Sequence, residues 1–172
     1  MNGKRLRSLG RLVAFNAMLV VALVVCTGVQ PARAGEVAIP KGWEEGGPYD
    51  KNYNPKELDK FRAWVVAVRE AAPMKGMAPG VILEVKEGQD DDETILVHVC
   101  PSAYMGPSEI GLRRGDRIKI RGSWAYIDNK DIFMAAKIKK GDYFELKVRL
   151  TSNGKPFWTM TPEELARERS AS

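Results

Sequence analysis

Apolar and polar residues alternate along most of the second half of the chain. Val81, Leu83 and Val85 alternate with Ile82, Glu84 and Lys86, the pattern of a half-buried strand. In the next such run Ile95, Val97 and Val99 take one face and Leu96, His98 and Cys100 the other, and Pro101 ends it. Ile118 and Ile120 alternate with Arg117, Lys119 and Arg121. That run continues past Gly122, where a bend is expected, through Trp124 and Tyr126 to Ile127. Ile132, Met134, Ala136 and Ile138 mark a further strand, and Phe144, Leu146, Val148 and Leu150 the last. Turn-forming clusters separate the runs: an acidic one at 88–93, Asp128-Asn129-Lys130-Asp131, and Lys140-Gly141-Asp142.

Two segments break this alternation. Leu58, Phe61, Val65, Val68 and Ala72 recur at helical spacing, and Asn54, Pro55 and Glu57 resemble a helix start. Yet Trp64-Val65-Val66-Ala67-Val68 is a β-branched and aromatic run of strand length. The residues alone leave helix and strand both open there. Residues 102–110 form a short connection, predicted as one or two helical turns. Thr161-Pro162-Glu163-Glu164 is a capping box with proline at the first helical position, which predicts a short C-terminal helix. If residues 61–69 are strand one, the fold class is mostly β. It is then a small OB-fold-like barrel of five to six strands, with a short helix between strands three and four.

The first 34 residues read differently. Lys4, Arg5, Arg7 and Arg11 precede an apolar run at 12–25, and Ala32-Arg33-Ala34 offers a small-x-small cleavage site. These are the three parts of a secretory signal. The expected organisation is a signal at 1–34, a flexible arm at 35–52, the barrel domain at 53–160, and a helix and tail at 161–172. The product is expected in the periplasm or secreted. It would touch a membrane only if the signal stayed uncleaved. Five of the chain's 27 basic residues lie in the signal and none of its 22 acidic ones does. The remainder is therefore neutral, which removes the electrostatic case for nucleic acid. Cys26 leaves with the signal, so Cys100 remains alone and is expected to be a buried small hydrophobe.

Several motifs follow one another in a recognisable order. They are Tyr53-Asn54-Pro55-Lys56, Val65-Val66-Ala67-Val68, Pro73-Met74-Lys75-Gly76-Met77, and Val97-His98-Val99 with Pro101 and Tyr104. Arg114-Gly115-Asp116, Arg121-Gly122-Ser123 and Gly154-Lys155-Pro156-Phe157-Trp158 come after them. Together they resemble a family of small exported bacterial OB-fold proteins whose role is not assigned. The resemblance covers about residues 53–158 and implies that 61–69 is a strand. The chain departs from the family pattern at Cys100, where a glycine usually precedes the proline, and at Ala103, where an aromatic is usual. A glycine there would serve close approach, so Cys100 would alter such a site. More distantly, exported OB-fold metallochaperones for copper or silver use methionines, a histidine and a tryptophan. That likeness is one of fold and residue type only.

Candidate chemistry centres on His98 and Cys100, two apart on one strand face. Imidazole and thiolate bind soft metals, and the thioethers of Met74 and Met77 could join them, with Met105 in reserve. Two ligands do not make a site, and no third member of a catalytic set is evident. Trp64, Trp124, Tyr126, Phe133 and Tyr143 could form an aromatic platform. Trp124 and Tyr126, however, run in phase with Ile118 and Ile120 and are expected in the core. Lys137, Lys139, Lys147 and Arg149 are expected to face solvent. The expectation is a non-enzymatic binding module of the cell envelope, acting on a protein or small ligand and without a cofactor. Its candidate binding residues are His98, Cys100, Trp64 and Tyr104. The alternative is a Cu(I)-like site of Met74, Met77, His98 and Cys100. Weaker still is oligonucleotide or oligosaccharide binding on the barrel face.

Overall fold

The structure is a computed structural model and describes residues 38–88 and 92–170. The signal segment, residues 35–37 of the arm, 89–91 of the acidic turn and the last two residues lie outside the described residues. Six strands form one sheet: β1 Asp59–Ala71, β2 Gly80–Lys86, β3 Ile95–Pro101, β4 Arg117–Ile127, β5 Lys130–Lys140 and β6 Phe144–Lys147. Their order is β3-β2-β1-β4-β5-β6, all antiparallel neighbours, and a short parallel pairing of β3 with β5 joins the sheet into a barrel-like ring. Among the described residues one α-helix, α1 Pro162–Ser170, follows. Its capping box forms as the sequence predicts: Glu164 N donates to Thr161 Oγ1 at 3.3 Å, and Thr161 N to Glu164 Oε2 at 2.9 Å.

The ambiguous segment is β1, the seam that pairs with both β2 and β4. Its helical spacing has a physical origin. Val65 pairs with Val85 and Ala67 with Glu84, so Val66 is an extra residue in the strand. Such a bulge shifts the alternation by one. Phe61, Ala63 and Val65 face the core before it and Val68 after it, which mimics steps of three and four.

Between β3 and β4 the expected helix does not form. Residues 102–116 make successive turns instead. Tyr104 N and Met105 N share the Pro101 carbonyl, and Glu109 N and Ile110 N share that of Gly106. Gly106 and Gly111, the latter at φ +69°, break what would be a continuous helix.

β4 bends at Gly122, where a Cβ would sit 2.0 Å from the Met134 carbonyl oxygen. The register shift there falls on β5, where Ala136 is the extra residue, so Trp124 keeps the phase of Ile120 and pairs with Phe133. Ile118 and Ile120 are buried, but Trp124 is 43% exposed and Tyr126 65%. The expectation that these two aromatics are core is corrected on that ground. Phe133 is buried, and Tyr143 is fully exposed.

The arm is also corrected. Residues 38–52 are docked rather than loose, with Trp43 and Tyr49 among the most buried side chains. Trp43 Nε1 donates to Ala78 O at 2.9 Å, and Trp158 Nε1 donates to Trp43 O at 2.9 Å. Gly80 makes room for the Trp43 ring, which a Cβ there would meet at 2.2 Å.

Candidate functional site

The bulges decide where the candidate side chains point. In the β2–β3 pair, Val81 lies opposite Cys100 and Ile82 opposite His98, so Val99 is an extra residue. Antiparallel partners share a face, and Val81 and Ile82 take opposite ones. His98 and Cys100 therefore face opposite ways, against the simple count of two. Of the four soft donors Met74, Met77, His98 and Cys100, the two on β3 therefore do not share a strand face. Met77 packs on Gly42 of the arm. Among the described residues, no three His, Cys, Asp or Glu side chains gather as a metal-binding group.

Cys100 is free and fully buried, with Sγ 3.7 Å from Met105 O. Burial pushes its thiol up to about 12, so it stays protonated and unreactive. This is the packed small hydrophobe that the sequence leads one to expect.

His98 is 4% exposed. Its Nδ1 lies 3.3 Å from the Tyr49 hydroxyl, and the two rings stack at 6.0 Å. Burial also raises the Tyr49 phenol above its ordinary range. His98 borders a hollow of about 300 Å³ shared with Ile82, Leu96, Ile127 and Ile132, with Arg69 and Glu84 also lining it. Arg69 and Glu84 bond each other at 2.6 Å.

Desolvation pulls the His98 pKa from 6.5 down to about 4. The folded state thus holds the ring neutral, while the unfolded chain takes up a proton as pH falls through 6.5. The stability from keeping the ring neutral is complete above about pH 6.5 and is lost progressively down to about pH 4. Wild type is expected to lose about 2 kcal/mol between pH 7 and pH 5 from this group. Urea unfolding at both values should show that loss, and the His98→Gln variant should lack it. An equal loss in the two proteins would refute the assignment.

The other two candidates have ring contacts of their own. Trp64, on β1, sits under the Arg117 guanidinium at 5.6 Å. Tyr104 leans on Trp158 at 6.3 Å between ring centres. A chain of ring contacts through Trp158, Trp43 and Tyr49 links Tyr104 to His98, and Trp64 packs with Arg117.

Sequence reasoning missed a buried cluster where the arm meets the C-terminal segment. Arg149, expected on the surface, is 3% exposed. It pairs with Asp50, donates to Gly154 O at 3.1 Å, and lies between the rings of Tyr53 and Trp158 at 4.9 and 5.0 Å. The sequence held one signal for it. The Tyr53, Gly122-Ser123 and Gly154 motifs meet here. Asn54 N donates to Ser123 Oγ at 3.1 Å, and a Cβ on Gly154 would strike the Tyr53 ring at 2.7 Å.

No curated protein matches the chain, and no solved structure does. One family model matches residues 57–145, just over half the chain. The match begins ahead of β1 and ends in β6, so it takes in the ring of strands and the bulged β1–β2, β2–β3 and β4–β5 pairs. It stops short of Arg149 and α1 and starts after the docked arm. With the ring matched almost from end to end, the chain belongs to the MamS/MamX magnetosome protein family.

Proposed function

We propose that this chain is an exported, non-enzymatic binding module that acts on a protein partner in the cell envelope, at the magnetosome that gives its family its name. The basic, apolar and small-residue parts of the N-terminal segment support export, with cleavage near Ala34. We interpret the ring as an OB-fold-like barrel, because its strand order and the β3–β5 closure suit one. The observation that carries the binding role is the exposure of Trp124 and Tyr126 on the end of β4 beyond Gly122. Trp124 is already held in place. It stacks on Phe61 at 6.0 Å, meets Phe133 edge-on at 5.1 Å, and donates to Asp59 Oδ2 at 3.1 Å. A fixed, half-exposed aromatic loses little freedom when a partner covers it.

The test follows the full chain in cells, beside Tyr126→Ser, which leaves the Trp124 stack in place. The wild type should be shortened to a start near Gly35 and should co-fractionate with magnetosomes or envelope. The variant should be processed and folded but should leave that fraction. Retention of the unprocessed chain in the cytosol would sink the export reading. An unchanged distribution of the variant would sink the aromatic face. A small ligand is the second reading, favoured by the hollow beside His98.

A further inference from the structure

The outer face of β1, β4, β5 and β6 carries cations in register. Lys60 lies opposite Arg121, Arg121 opposite Lys137, and Lys137 opposite Lys147. The next row runs Arg62, Lys119, Lys139 and ends at Glu145. Arg117, two residues before Lys119, extends the face. Like charges placed directly opposite are unfavourable, each pair by a few tenths of a kcal/mol or more. A chain that is neutral beyond its first 34 residues has concentrated them here.

One carboxylate lies at the edge of this grid. Glu145 meets Lys139 at 2.6 Å, Lys137 at 3.4 Å and Lys147 at 3.5 Å. Those contacts, the Lys139 bond foremost, hold its carboxyl below the usual range. Among the described residues no acidic side chain pairs with Lys60, Arg62, Arg117, Lys119 or Arg121, and all five are exposed. A hollow of about 400 Å³ opens among Arg62, Arg117, Lys119 and Lys139. The one apolar side chain lining it, Ile118, is itself 2% exposed.

We infer that this face docks an extended, carboxylate-rich segment of a partner protein. The inference rests on the binding-module reading above and names the chemistry of its partner. The geometry favours a peptide for two reasons. Cations at i and i+2 along each strand repeat at about 7 Å, the spacing of alternate side chains on an extended acidic chain. The grid also lacks the exposed aliphatic wedge by which a protein seats in a bilayer. Glu145 shows the arrangement the partner's Asp and Glu side chains would repeat, one carboxylate shared by several cations.

The test uses the full chain and a fluorescein-labelled peptide of alternating Asp and Ser, read by anisotropy at low and physiological ionic strength. Wild type should bind, and more weakly as salt rises. Arg62→Gln/Lys119→Gln should weaken binding at least about tenfold and leave the melting temperature unchanged or raised. Phosphatidylglycerol vesicles and oligothymidylate are run beside it and read as the difference between wild type and variant, which share the same N-terminal segment. Equal peptide affinity in the two proteins would overturn the inference. So would a vesicle or oligonucleotide signal that exceeds the peptide's and is the one the variant loses. If the peptide arm fails while Tyr126→Ser still leaves its fraction, the acidic partner is refuted and the binding module stands.

Discussion

Trp43→Ala is expected to remove about 4 kcal/mol of folding stability, from a domain whose total is on the order of 5–15 kcal/mol. The residue lies outside the ring of strands, in a stretch that composition alone would leave loose. Yet its ring is 1% exposed and meets Tyr49 at 5.0 Å and Trp158 at 5.3 Å, both edge-on. Its indole N–H donates to Ala78 O, and its carbonyl accepts from Trp158. Truncation to alanine therefore opens a large cavity and leaves the Ala78 carbonyl short of a donor. The Trp158 contact to the Trp43 carbonyl also loses its packing. Gly80→Ala should mimic part of the effect from the other side, since its new Cβ would meet the ring at 2.2 Å and Cys100 O at 2.9 Å. Urea unfolding gives the magnitude. Limited proteolysis gives the mechanism, because the variant should be cut first in the arm. A loss below about 1 kcal/mol with the arm still protected would mean that the arm contributes little to the fold.

The strands were legible because period-two alternation is a direct record of burial on one face. The pattern failed where a bulge altered the count. Val66 made β1 resemble a helix and Val99 put His98 and Cys100 on opposite faces, while Trp124 and Tyr126 keep the phase of Ile120 beyond Gly122 and still lie exposed. Nothing local in the sequence marks Val66 or Val99 as extra, since a bulge is fixed by the partner strand's register. Gly122 was marked, but only as a place to bend. The candidate site was less legible for a related reason. Trp43, Tyr49 and Arg149 owe their burial to partners 35 to 115 residues away in sequence, and no short-range pattern records such distances. Arg149 continues the phase of Lys137, Lys139 and Lys147 only in type. β6 ends at Lys147, and the chain then turns inward with Val148 N and Arg149 N both donating to Ala136 O.

Arg149→Met should cost about 3 to 5 kcal/mol, comparable to the loss at Trp43 but for an electrostatic reason. The substitution keeps an apolar stem between Tyr53 and Trp158 and removes the charge. Asp50, whose side chain is 15% exposed, is then a largely buried carboxylate without its cation. It still accepts from Gly46 N at 2.8 Å, which one backbone N–H cannot turn into full compensation. The pair is not an optimal arrangement to begin with. Arg149 Nη2 and the Tyr53 hydroxyl find no hydrogen-bond partner among the described residues, and each such buried group costs about 1–3 kcal/mol. Removing both charges together should therefore be much milder than removing one. In Arg149→Met/Asp50→Asn the new amide oxygen can keep the Gly46 contact while no ion is left buried. The double variant is expected to lie within about 1 to 2 kcal/mol of wild type, well short of the summed single losses. Chemical unfolding of the four proteins completes the cycle. If the double variant loses the full sum, Asp50 and Arg149 are not coupled. The cost of Arg149→Met would then belong to its contacts with the two rings and Gly154 rather than to a stranded charge.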